Sequence, residues 1–82
     1  MPYTAKIKVT LRQSILDVQG KAVESALHGL GWPDVSAVRV GRVIEFDLVA
    51  QDAATADAEV KAMCDRLLAN TVIESFRVEI TP

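Results

Sequence analysis

The sequence predicts an α+β domain in which a four-stranded antiparallel sheet carries two helices on one face. Three observations lead to this fold class. Apolar and polar residues alternate with a period of two near both ends of the chain and in its middle. Apolar residues recur at helical spacing in two intervening segments. The resulting order is strand, helix, strand, strand, helix, strand, which is the ferredoxin-like βαββαβ arrangement.

The first strand is predicted over Tyr3–Leu11, where apolar side chains alternate with lysine and threonine. A helix follows the connector, and Asp17 is its predicted N-cap because a carboxylate there can accept hydrogen bonds from the free amides of the first turn. The apolar stripe of this helix is then predicted to end at Gly29 and Gly31, which are candidates for the C-cap.

A hairpin is predicted in the middle of the chain. Val35–Val49 is long for one strand and is interrupted by Gly41 and Arg42, so we expect one strand near Val35–Val40 and a second near Val43–Val49. In this fold the second strand of the hairpin lies beside the first strand of the chain. The outward charges agree with that pairing, since Lys6 and Lys8 would face Glu45 and Asp47.

The second half of the chain predicts a helix and a last strand. Gln51–Asn70 reads as helical, with Asp52 or Thr55 as N-cap and Asn70 in a left-handed conformation at its end. Glu74–Ile80 alternates again and predicts the final strand, with its apolar side chains facing the helices.

Length and composition limit the function classes. The chain has 82 residues, which is one domain spanning 1–82, and its net charge of −2 argues against a nucleic-acid binder. It has neither a bilayer-length apolar stretch nor a secretory signal pattern at its start, so we expect a cytoplasmic protein. Half of its residues are apolar, and so small a domain is expected to leave hydrophobic surface that favours association.

Candidate catalytic groups are few. His28 follows Glu24 by four residues on the first helix, which favours a surface ion pair over catalysis. Cys64, the single cysteine, lies on the apolar stripe of the second helix and is expected to be a buried, unreactive thiol. The pattern predicts no catalytic, cofactor-binding or metal-ligating residue. RNA binding is disfavoured because Phe46 and Phe76 fall on the helix-facing side of the sheet.

Three ordered motifs carry a resemblance to a known family, and they cover essentially the whole chain. The first comprises Leu16–Val23 and Ala26–Gly31, the second Val38–Arg42 with Glu45, and the third Met63–Cys64 with Leu67–Glu74. Together they resemble the first helix, the hairpin and the end of the second helix of the PurS subunit of phosphoribosylformylglycinamidine synthase.

The resemblance implies a non-catalytic subunit of a purine-biosynthesis ligase complex. In such complexes a glutaminase subunit releases ammonia from glutamine, and a synthetase subunit uses ATP and Mg to activate the substrate amide. The small subunit would form homodimers, leaving open whether these pair into tetramers. It would bridge the two larger subunits and assist ammonia transfer, with no cofactor of its own.

Candidate interface residues lie in the same motifs. They are Gly20 and Lys21 at the helix start, Arg39, Gly41 and Arg42 in the predicted hairpin, and Asn70 and Glu74 after the second helix. Close helix packing, turn chemistry and a helix C-cap, respectively, explain the three groups equally well. A rival function is an amino-acid-sensing regulatory module, because such modules share this order of strands and helices.

Overall fold

A three-stranded antiparallel sheet forms the centre of the molecule. The computed structural model describes all 82 residues. The strands are β1 (Pro2–Leu11), β2 (Gly41–Val49) and β3 (Glu74–Thr81), in the order β2-β1-β3. Two helices, α1 (Val18–Gly29) and α2 (Ala53–Met63), connect them, and α2 continues into a π-helical turn over Cys64–Leu68. Neither helix is long and apolar enough to cross a membrane.

The core lies between the sheet and α2. Ile7 and Val9 of β1 are fully buried because β1 has a neighbouring strand on each side and α2 above it. Val60 and Cys64 fill the facing side, which confirms half of the apolar stripe predicted for the second helix. The other two residues of that predicted stripe, Met63 and Leu67, are exposed, so their placement in the core is wrong. Each of the buried isoleucine and valine side chains contributes roughly 1.5–3 kcal/mol through its removal from water.

The register of the sheet confirms part of the predicted charge pairing. Lys6 lies opposite Glu45, with 3.8 Å between the ammonium nitrogen and a carboxylate oxygen. The second predicted pair is wrong, because Lys8 lies opposite Val43. Asp47 instead lies opposite Thr4, and its carboxylate accepts a hydrogen bond of 2.9 Å from the Thr4 hydroxyl group.

The predicted fourth strand over Val35–Val40 is absent, so the expected four-stranded sheet is wrong. Ala37 has a φ of 56°, which interrupts an extended backbone. The amides of Val38 and Val40 donate to the carboxylates of Glu24 and Asp17 instead of pairing with a strand. Gly41 and Arg42 form no turn and start β2 directly. The chain thus keeps the element order of the βαββαβ fold with one strand missing.

The prediction of two helices on one face of the sheet is also wrong, since only α2 covers it. No residue of α1 belongs to the core or packs against it, and Gly20 is the only buried residue of α1. The molecule measures 50 × 25 × 14 Å, and its radius of gyration of 16.1 Å exceeds the value of about 12 Å typical of a compact chain of this length.

The helix ends agree with most of the sequence interpretation. Asp17 and Asp52 both act as N-caps, accepting from the amides of Gly20 and Thr55. After α1, Gly31 takes a φ of 108° and ends the helical path. The left-handed conformation predicted for Asn70 is wrong, because Ala37 is the one non-glycine residue with a positive φ.

Candidate subunit interface

The connection between the sheet and α1 is held by Asp17. This residue is only 3% exposed. One carboxylate oxygen accepts from the amide of Gly20 at 2.8 Å, and the other accepts from the amide of Val40 at 2.8 Å. These two hydrogen bonds, with Val40 the stronger influence, hold the pKa of Asp17 below its ordinary value. One ionised side chain therefore ties the start of α1 to the start of β2.

Gly20 lies where a larger residue has no room. A Cβ atom placed on it would overlap the carbonyl oxygen of Val38 and come within 2.8 Å of an Asp17 carboxylate oxygen. Glycine costs helix propensity, and the close passage of the Val38 backbone explains why it stands here. This arrangement matches the close-packing alternative for Gly20.

Arg39 holds the segment between β1 and α1 through hydrogen bonds to its backbone. Its Nη2 atom donates to the carbonyl oxygens of Arg12 at 2.9 Å and Ile15 at 3.0 Å, with a longer contact of 3.4 Å to Leu11. A guanidinium suits this role because it presents several donors in a rigid plane. Arg39 and Asp17 together fix the direction in which α1 leaves the sheet.

A second cluster joins β2, β3 and the end of the π-helical turn. Arg42 donates to both carboxylate oxygens of Glu74, at 2.6 and 3.1 Å, and to the carbonyl oxygen of Leu68 at 2.6 Å. Glu74 also accepts from the amide of Asn70 at 2.7 Å. Arg42 first, and then the Asn70 amide, lower the pKa of Glu74, while Glu74 raises the pKa of Arg42.

These two clusters border one cleft. It has a volume of about 300 Å³, and its lining includes Asp17, Gln19, Gly41, Arg42 and Glu74. Most of the sequence-predicted interface residues therefore meet around the ends of the three strands and the start of α1. Lys21 lies outside this group, with its exposed ammonium 3.9 Å from Glu24.

The predicted interface residues omit the exposed apolar side chains of α1 and of the turn after it. We use the name "arm" for residues 18–32, which comprise α1 and the turn after it. Val23 is 40% exposed, Leu30 71% and Trp32 58%. Val23 and Leu30 follow helical spacing in the sequence, and the expectation that both helices cover one face of the sheet would have placed them against that face. The sequence signal that could have indicated this exposed surface is the large apolar fraction of the chain, which is more than so small a domain can bury.

The chain carries no evident catalytic group. Cys64 is fully buried, and this burial raises the pKa of its thiol, which opposes formation of the nucleophilic thiolate. His28 contacts the carbonyl oxygen of Val35 at 2.6 Å, so the predicted ion pair with Glu24 is wrong. No group of three His, Cys, Asp or Glu side chains is positioned to hold a metal ion. The fold and the arm together define a class of protein, a small subunit that works by binding other chains.

Comparisons with known proteins identify the family. Residues 4–82 match the family model described as PurS, phosphoribosylformylglycinamidine (FGAM) synthase. The chain belongs to this PurS family, as the three motifs implied. It is 54% identical over 79 residues to the phosphoribosylformylglycinamidine synthase subunit PurS of Synechocystis, a match covering 96% of this chain and 79% of that one.

Solved structures agree with this assignment. PurS of Bacillus subtilis is 42% identical, with a TM-score of 0.85 and coverage of 98% of this chain and 99% of that one. A chain in the structure of PurLQS from Thermotoga maritima is 27% identical, with a TM-score of 0.90 and coverage of 99% of both. The rival interpretation as an amino-acid-sensing module receives no support from these relatives.

Proposed function

We propose that this protein is the small, non-catalytic subunit of a glutamine-dependent FGAM synthase in purine biosynthesis. Its relatives are named as PurS subunits of that ligase, and one of them is part of PurLQS. The observation that carries the proposal is the arm, an apolar surface held away from the core in a chain without reactive groups. Such a surface is stabilised only when another chain covers it.

In this proposal the protein bridges a glutaminase subunit and a synthetase subunit in the cytoplasm and assists the passage of ammonia between them. ATP, Mg and glutamine are used by those larger subunits, and this chain binds none of them. Ammonia that escaped into water would be protonated and diluted. A bridging subunit that closes the interface between the two sites preserves the nucleophile.

The open side of the sheet gives a geometric reason to expect a homodimer. The helix α2 packs against β1 and β3, and it leaves the β2 side of the same face open. The apolar residues of β2 on that side, which include Phe46 and Leu48, are only half-buried. We infer that the arm of a second copy covers this side. A two-fold axis makes the exchange reciprocal, so that each arm covers the sheet of its partner.

Reconstitution tests the bridging role. The purified chain is mixed with glutaminase and synthetase subunits of the same complex, and product formation is measured with glutamine and, separately, with ammonium as nitrogen source. We expect omission of this chain to abolish the glutamine-dependent reaction and to leave most of the ammonium-dependent one. Glutamine-dependent turnover that stays unchanged without this chain would overturn the proposal.

Sedimentation tests the dimer. Val23→Asp places a charge on the apolar side of the arm, and Ser25→Asp places the same charge on its opposite, solvated side. We expect the unchanged protein and the Ser25 variant to sediment as dimers, and the Val23 variant to sediment as a monomer with its helical circular dichroism retained. A dimer that survives the Val23 substitution would show that the arm is not the contact.

A further inference from the structure

Two unpaired cations lie side by side on the outer face of the sheet, the face turned away from α2. Lys8 of β1 lies directly opposite Arg77 of β3, and both are exposed. The ion pairs of the structure use other cations, Lys6, Lys21, Arg42 and Lys61. Like charges at directly opposed positions destabilise a sheet. A bound anion would relieve the repulsion between Lys8 and Arg77.

The next pair of opposed residues on the same face supplies hydroxyl groups. Thr10 lies opposite Ser75, two residues along from Lys8 and Arg77. Opposed Cβ atoms are about 5 Å apart, and neighbouring positions on one face of a strand are about 7 Å apart. The four side chains thus border a rectangle about the size of one phosphate group. They line a shallow groove of about 390 Å³.

The charge distribution of the face concentrates this positive potential at one end. Carboxylates begin at the next pair of positions in the other direction, where Glu45 and Glu79 flank Lys6, and Asp47 lies beyond them. The whole chain has a net charge of −2, so general attraction of anions is weak and binding must come from the local group.

We propose that Lys8, Arg77, Thr10 and Ser75 form a binding site for a phosphate-class oxyanion. Phosphate fits these groups better than a single carboxylate does, because its oxygens can accept from two cations and two hydroxyls at once. Arginine donates in pairs to neighbouring phosphate oxygens, and lysine adds a point charge. The chemical class of ligand is therefore inorganic phosphate or the phosphate group of a small phosphorylated metabolite. This inference does not depend on the arm or on the proposed bridging role.

The test is an NMR titration of the free protein with inorganic phosphate at constant ionic strength maintained with chloride. We expect saturable shifts of the Lys8, Thr10, Ser75 and Arg77 amides. Arg77→Glu should weaken binding by about tenfold or more, since charge-assisted hydrogen bonds are lost. The same variant creates an opposite-charge pair with Lys8 and should retain or raise the melting temperature, which separates lost binding from lost folding.

Two matched variants sharpen the result. Lys8→Gln, which removes the other cation, should also weaken phosphate binding by about tenfold. Lys6→Gln lies on the same strand and face but removes a lysine already paired with Glu45, and it should leave binding within about twofold. A titration without saturation, or equal losses in the Lys6 and Lys8 variants, would overturn the proposal. So would tighter binding of a hexaglutamate peptide than of phosphate at these amides, because that identifies an acidic protein segment as the ligand.

Discussion

Asp17 accepts hydrogen bonds from two amides that are far apart in the chain, at Gly20 and Val40. The sequence predicted only the first of these bonds, because an N-cap is a local pattern. The second depends on the path of residues 35–40, which no local pattern describes. At this scale the sequence identified the correct residue and half of what it does.

Gly20→Ala tests the close passage of the Val38 backbone. An alanine normally stabilises a helix relative to glycine. Here its methyl group would overlap the carbonyl oxygen of Val38, which belongs to the backbone and cannot rotate away as a flexible side chain could. We expect a loss of about 1–3 kcal/mol in the free energy of unfolding, measured by urea titration. Gly29→Ala is the matched control on the same helix, since nothing lies within 4 Å of the added atom, and it should gain about 0.5 kcal/mol. Equal effects at both sites would contradict this explanation.

The ionisation of Asp17 predicts a pH dependence. Its pKa is lowered in the folded protein from an ordinary value of 3.8, so its stabilising effect is present above that pH and is lost as the pH falls through the folded value. Asp17→Asn should be less stable at pH 7, and its deficit relative to the unchanged protein should shrink as the pH falls below about 4. Urea unfolding between pH 7 and pH 2 measures both curves.

The comparison needs a control because other carboxylates also titrate in acid. Asp52 and Glu74 have lowered pKa values as well, so both proteins lose stability at low pH, and only their difference reports on Asp17. Asp34→Asn, in the exposed turn after α1, should show little deficit at any pH. A deficit of Asp17→Asn that stays constant down to pH 2 would refute the role of its charge.

At the scale of elements, alternation and helical spacing predicted three strands and both helices close to their observed places. The error lies in Val35–Val40, where apolar alternation indicated a strand. A strand needs partners for its amides, and side chains of Glu24 and Asp17 take two of them in this segment. Such long-range competition for backbone hydrogen bonds cannot be read from a local period.

The Arg42 cluster joins elements that are otherwise separated by β1. Arg42 reaches Glu74 on β3 and the carbonyl oxygen of Leu68 in the π-helical turn. Of the predicted interface residues, Arg42, Asn70 and Glu74 are brought together here, although their spacing in the sequence gives no sign of it.

Arg42→Ala should raise the pKa of Glu74 toward its ordinary value of 4.5, because the largest cause of its lowering is removed. The amide of Asn70 still donates to Glu74, so the recovery should be partial. Arg42→Lys keeps the charge but loses the paired hydrogen bonds and should give an intermediate pKa. An NMR titration of the Glu74 carboxyl group measures this pKa in the unchanged protein and in both variants. If Glu74 had the same pKa in Arg42→Ala as in the unchanged protein, Arg42 would not be the main cause of its lowering.

At the scale of the whole molecule, the elongated shape follows from the arm. A chain of this size buries a smaller fraction of its surface than a larger domain does, and here α1 adds almost nothing to the core. Composition predicted that hydrophobic surface would remain, whereas its location required the structure. The missing fourth strand and the unpacked helix have the same consequence, since both leave the β2 side of the sheet open to a second chain.

If a second copy covers that side, folding and association are coupled, and thermal stability must depend on protein concentration. A tenfold increase in protein concentration raises the free energy of unfolding the dimer into separate chains by about 1.4 kcal/mol. For a dimer of this size, that corresponds to a rise of about 4 °C in the melting temperature. Val23→Asp should melt at a lower temperature that no longer changes with concentration, while Ser25→Asp should behave like the unchanged protein. Calorimetry over a hundredfold range of concentration measures the dependence. A melting temperature of the unchanged protein that is independent of concentration would mean that the arm is not stabilised by a second copy.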